Sequence, residues 1–143
     1  MKKVIALLCA VLMLGINANA VEVSAPSALL MEKETGTVLF AKDEHAKLEP
    51  ASVTKVMTLL LTMEAIDSGK ISWEDTVTTS EAAAAKGGSQ IYLKVGETMT
   101  VTDMVKSIAV SSANDCACAM AEHIAGSEAA FVDAMNEKAK VLG

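Results

Sequence analysis

Histidine is nearly absent: the 143 residues hold only His45 and His123. His45 lies in the charged run "KDEHAK" and reads as solvated, and His123 beside Glu122 reads as a surface or half-buried helical residue. No G-x-S-x-G elbow accompanies them, so nothing in the sequence supports a Ser-His-Asp arrangement. No group of His, Cys or carboxylates has metal-ligand spacing, and neither a metal nor an organic cofactor is expected. There is no glycine-rich phosphate loop; Gly87-Gly88 reads as a flexible turn. Cysteine is scarce as well, with three in the chain. Cys116 and Cys118 stand two apart on a helical stretch, where their side chains point to roughly opposite sides. A mutual disulfide is disfavoured, and both read as buried small hydrophobes. Basic residues are outnumbered, 12 Lys+Arg against 18 Asp+Glu for a formal charge of -6. That excludes a nucleic-acid face and leaves no basic patch for anionic lipid. Repeats and low-complexity linkers are lacking too, and the length allows one domain at most.

Long apolar runs are limited to the N-terminus. "MKKVIALLCAVLMLGINANA" has two lysines, an apolar core over 4–16 and small residues ending Ala18-Asn19-Ala20. The core is shorter than the roughly 20 residues a bilayer span needs. Residues 1–20 therefore read as a secretory signal with an A-x-A cleavage site rather than an uncleaved anchor. Leu7-Leu8 before Cys9 do not fit a lipoprotein site. The mature chain then starts at Val21, and an exported protein without a disulfide framework suits a bacterial cell envelope.

Within residues 21–143, "ALLMEK" (28–33) and "TVLFAK" (37–42) are strand-like runs around the turn "ETG", which predicts a β-hairpin. A helix is predicted over 52–68, with Val53, Val56, Met57, Leu60, Met63 and Ala65-Ile66 as its buried stripe. Gly69 ends it in the left-handed position. "ISWEDTVTTS" and "QIYLKVGETMTV" read as loop and strand material with polar turns. Thr102 is the expected N-cap of a helix over 103–109. Asn114 opens a helix that stops at Gly126, and Ser127 caps a final helix with Glu128 in its first turn. Strands followed by several helices make the fold class α+β, a mixed α/β domain.

The stretch "EPASVTKVMT" has two readings. Ser52 and Lys55 lie three apart, so on a helix they share one face. They can be a capping serine with a solvated lysine, or a nucleophile with its base. The second reading gains from the free amide donors and positive dipole of a helix N-terminus, which stabilise charge developing on a carbonyl oxygen. It also requires Lys55 to act in its neutral form, for which partial burial beside Val53 and Val56-Met57 is suited. Downstream, Ser112-Ala113-Asn114 precedes a helix and can turn a hydroxyl and an amide towards a cleft. Asn114 can equally be an ordinary N-cap.

Together, "PASVTKVMT", the preceding hairpin "ALLMEKETGTVLFAK" and the stretch from "GGSQIYLK" through "SSAND" to "AKVLG" resemble the D-alanyl-D-alanine carboxypeptidases. These are the low-molecular-mass penicillin-binding proteins of serine peptidase family S11. The resemblance implies a β-lactamase/transpeptidase-like fold. It makes Ser52 the acyl-ester nucleophile, Lys55 the general base, Ser112 a proton relay and Asn114 a substrate-binding residue. Its implied partners are peptidoglycan stem peptides ending in D-Ala-D-Ala and β-lactam antibiotics. Alanine at 113 departs mildly from the usual glycine. The family's third motif, K-T-G on a cleft strand, does not occur; Lys33-Glu34-Thr35-Gly36 precedes the nucleophile and reads as turn chemistry. The expectation is an N-terminal portion of a carboxypeptidase, with the hairpin and helical part present and the C-terminal strands and any membrane anchor missing. A class A β-lactamase-like hydrolase and a non-catalytic penicillin-binding-protein-like module are the rivals.

Overall fold

The computed structural model describes residues 21–143; the expected secretory signal lies outside them. The chain divides into Met1–Leu48 and Glu49–Gly143. In the first unit, β1 (Ala28–Met31) and β2 (Val38–Lys42) pair antiparallel, Ala28 opposite Lys42, with an irregularity between Leu30 and Met31. The strands stop short of Lys33 because Glu32 organises the turn: its carboxylate accepts from the backbone N–H of Glu34 at 2.9 Å and of Thr35 at 2.6 Å. Gly36 takes the left-handed φ of 70° that the reversal requires. Lys33 to Gly36 are thus turn residues, as expected. Leu29, Leu30, Met31, Val38 and Leu39 each stay more than half exposed.

The second unit opens with a 3-10 turn, Ala51–Val53, followed by α1 (Thr54–Asp67). After it come β3 (Thr76–Thr78), α2 (Glu81–Ala84), β4 (Thr98–Thr100), α3 (Val101–Ser111), α4 (Asn114–Ala125) and α5 (Glu128–Leu142). β3 and β4 form a second antiparallel pair, with Val77 opposite Met99. The architecture is α+β, as expected. Val77, Val101, Met104, Ile108, Cys116 and Met120 build the core between β3, α3 and α4.

Two expectations are corrected. Of the expected stripe only Ala65 is fully buried; Thr58 and Thr62 complete the inner face of α1, while Val53 and Val56 are 68% and 66% exposed. The helix is apolar almost all the way round, so periodicity could not select its inner face. Threonine fits inside because the Thr62 hydroxyl donates to the Thr58 carbonyl at 2.8 Å, which keeps that polar atom satisfied. In addition, α3 starts two residues before the expected position. Thr100, not Thr102, is its N-cap: the Thr100 side-chain oxygen accepts from the Asp103 N–H at 3.1 Å. The Thr102 hydroxyl instead donates to the carbonyl of Trp73 at 3.0 Å.

Asp115, fully buried in the first turn of α4, fixes the long loop between α2 and β4. Its carboxylate accepts from the backbone N–H of Ile91 at 3.2 Å, of Leu93 at 3.1 Å and of Cys116 at 3.0 Å. A buried carboxylate is tolerated only with such partners. Asp115→Ala should lower unfolding free energy by about 3 kcal/mol, since each orphaned buried N–H costs about 1–3 kcal/mol. Urea titration checks this, and an unchanged midpoint refutes the anchor.

Candidate active site

The turn before α1 is bent at Ala51, whose φ of 47° is left-handed. This puts Ser52 ahead of the helix, and its side chain is not a cap: no side-chain cap bond exists at the start of either the 3-10 turn or α1. The capping reading of Ser52 is thereby removed. Its hydroxyl meets Ser112 Oγ at 2.9 Å and Lys55 Nζ at 3.4 Å. Ser112 reaches it because α3 terminates there in a left-handed residue, φ 54°. Ala51 and Ser112 are two of the four non-glycine residues with positive φ among the described residues, and they flank one hydroxyl pair. Left-handed φ costs a β-carbon-bearing residue on the order of 1 kcal/mol, and such strain collects at functional sites.

Lys55 is half-buried, as expected, though not against the valines. It continues the inner face of α1, one turn before Thr58 and two before Thr62. Its Nζ donates to Asn114 Oδ1 at 2.5 Å. Asn114 is also not a cap: Ala113 holds the N-cap position of α4, with no side-chain cap bond. The free Asn114 amide instead donates through Nδ2 to the Gly87 carbonyl at 2.6 Å, and its backbone N–H donates to the Ser89 carbonyl at 2.7 Å. Alanine at 113 has an ordinary extended backbone, φ -66° and ψ 114°, and is fully buried. No glycine freedom is needed there. All four expected site residues therefore converge, from two segments of the chain.

What the sequence did not show is the role of Gly87-Gly88. This pair is no mere flexible turn but the backbone platform beneath Asn114. A β-carbon on Gly88 would lie 2.9 Å from Asn114 Nδ2, and Gly88 has φ 77°. The platform works through a carbonyl and an absent side chain, which no residue-type signal reveals.

Ser52, Lys55, Gly88 and Asn114 line one cleft of about 530 Å³. Ala117, Cys118, Phe131 and Met135 also line it. Both described cysteines are free and buried, as expected. Burial raises the Cys116 thiol to about 11, with help from Asp115. Burial likewise raises Cys118 to about 11, with help from Glu128 and Glu122. The expected histidine placements hold for His45, whose side chain is 95% exposed, and for His123, which is on the surface.

Gly88→Ala should lower stability by about 1–2 kcal/mol and displace the Asn114 amide, whereas Gly87→Ala, with open space around it, should be near neutral. Urea midpoints and the Asn114 side-chain NMR signals read both effects; equal behaviour of the two variants would contradict the platform. The thiols predict an alkaline loss of stability. The unfolded chain ionises near pH 9 while the folded thiols hold their protons to about 11, so the melting temperature should fall across that window. A Cys116→Ala/Cys118→Ala chain should show a shallower fall; an identical slope would exclude the thiols as its source.

Comparison with known proteins agrees with this geometry. The family model described as D-alanyl-D-alanine carboxypeptidase matches residues 15–143. The carboxypeptidase DacF of Bacillus subtilis (strain 168) is 58% identical over 119 residues, covering 83% of this chain and 31% of that protein. DacD of Escherichia coli (strain K12) is 40% identical over 127 residues, 85% of this chain and 33% of that one. Among solved structures, the carboxypeptidase DacD of Francisella tularensis superposes with a TM-score of 0.80 at 38% identity, over 90% of this chain and 31% of that chain. Penicillin-binding protein D2 of Listeria monocytogenes, solved with ampicillin bound, gives 0.74 at 28% identity, over 87% of this chain and 49% of that chain. The chain thus spans about a third of the length of the curated relatives it matches. With a family model that extends over the whole described region and a relative 58% identical to it, the chain belongs to the D-alanyl-D-alanine carboxypeptidase family.

Proposed function

We propose that these residues form the acylating centre of a serine-type D-Ala-D-Ala carboxypeptidase. The reading rests on one observation: the Ser52 hydroxyl sits between Ser112 Oγ at 2.9 Å and Lys55 Nζ at 3.4 Å. Ser52 attacks the carbonyl that links the two terminal D-alanines of a peptidoglycan stem peptide. Its proton passes to Lys55 in the amine form, directly or through Ser112. The C–N bond breaks, D-alanine leaves with a proton on its nitrogen, and water hydrolyses the acyl-serine. The Ser52 N–H lies in a first helical turn, whose amides lack intrahelical acceptors and suit the developing oxyanion. Asn114 offers its amide to a substrate carbonyl.

A structural relative from Listeria monocytogenes was solved with ampicillin bound, and β-lactams are proposed as ligands here. The family match favours a peptidase over the β-lactamase-like rival. In keeping with residues 1–20 as a secretory signal, the protein is proposed to be exported to the bacterial envelope, at the periplasm or the outer face of the cytoplasmic membrane.

In a polypeptide joining these residues to a K-T-G strand, fluorescent penicillin should label Ser52 as a long-lived acyl-enzyme, and Ser52→Ala should abolish the label. Labelling that survives the substitution would falsify the nucleophile, and rapid β-lactam turnover would shift the assignment to the rival hydrolase. Residues 21–143 alone, which contain no K-T-G, should release little D-alanine from a pentapeptide; vigorous release overturns that expectation.

A further inference from the structure

Lys86 lies just past α2, and its N–H still donates to the Ala83 carbonyl at 3.1 Å. It immediately precedes the Gly87 carbonyl that holds Asn114. Across the cleft mouth, its ammonium donates to both oxygens of Glu128, at 2.8 and 2.7 Å. Glu128 is in the first turn of α5, where the helix dipole favours a carboxylate. The pair is only partly sheltered, with side chains 33% and 48% exposed. Ion pairs this exposed contribute little to stability. What this one supplies is placement, because it links a helix to the one residue next to the Asn114 platform.

We propose that the Lys86–Glu128 ion pair is a latch that positions Asn114, with Lys86 and Glu128 acting as positioning residues for the Ser52 centre. The path is continuous. Glu128 holds Lys86, the adjoining Gly87 carbonyl accepts from Asn114 Nδ2 at 2.6 Å, and Asn114 Oδ1 accepts from Lys55 Nζ at 2.5 Å. Releasing Lys86 lets the 86–89 loop shift, so the amide loses its acceptor and Lys55 loses its fixed partner. Other contacts of the loop do not replace the latch: the Ser89 carbonyl holds the Asn114 backbone, not its side chain. The hydrogen bond to Glu128 is the main cause of a raised Lys86 pKa, with Cys118 and Glu122 of α4 the other acidic groups facing it. The latch is therefore closed throughout the neutral range.

This inference rests on the reading of Asn114 as a site residue, but its test does not depend on catalysis. In the full chain, the Asn114 side-chain amide is followed by ¹H–¹⁵N NMR in Lys86→Met, Glu128→Gln, Lys86→Arg and the reversed pair Lys86→Glu/Glu128→Lys. Each charge-removing variant should shift the Asn114 Nδ2 signals and speed their exchange with water, while Met104 and Ile108 amides stay in place. Lys86→Arg and the reversed pair should restore the original signals. Unchanged Asn114 signals in Lys86→Met overturn the latch, as does a shift that neither restoring variant corrects. Failure of penicillin to label Ser52 would instead defeat the functional reading and leave this outcome standing on its own.

Discussion

The hydrogen bond between Lys55 and Asn114 is the interaction on which the site depends. It joins the inner face of α1 to the start of α4, and neither partner serves in ordinary helix capping. On one side of it, Lys55 faces the Ser52–Ser112 hydroxyl pair. On the other, Asn114 leans on the Gly87 carbonyl. A single carboxamide thus uses its acceptor atom for the lysine and its donor atom for the loop. Aspartate could accept from Lys55 but would repel the Gly87 carbonyl.

Behind this contact lies a second tier that is structural in origin. Asp115 follows Asn114 and faces the opposite way, into the core, where it gathers the amides of the 91–93 segment. Consecutive residues at a helix start therefore hold the same loop from two sides, one through its carbonyls and one through its N–H groups. The loop has little regular structure of its own, so its shape is imposed by α4. Precision in the cleft is in this way inherited from a helix packed at the centre of the core rather than from the loop's local preferences.

How much of this was legible in the sequence differs by residue. Ser52, Lys55, Ser112 and Asn114 were readable because the side chains and their spacing together resemble those of a known family, not from spacing alone. Gly87, Gly88 and Asp115 were not. The glycines act through backbone, and a carboxylate in a first helical turn looks like routine dipole complementation. The hairpin and the four longer helices were legible from alternation, caps and glycine stops, whereas the one-turn α2, capped by Ser80, went unread. The inner face of α1 was legible only at Ala65, since apolar residues surround the helix and the other deciding positions are two threonines. For α3 the signal was present but competed with itself: "TMTVTD" offers three threonines, and only Thr100 has an acid three residues later to close the cap.

Ser112 occupies a position that helix ends normally give to glycine. Its left-handed backbone means that the residue best for the fold and the residue best for the hydroxyl pair are different ones. Glycine there would relieve the strain and remove the hydroxyl that meets Ser52. On the proposed relay reading, the strained backbone is kept for that hydroxyl. Among sequences that keep every other mark of the family, a glycine at this one helix end would mark a lineage freed from catalysis, and it would look like an improvement to anyone scoring stability.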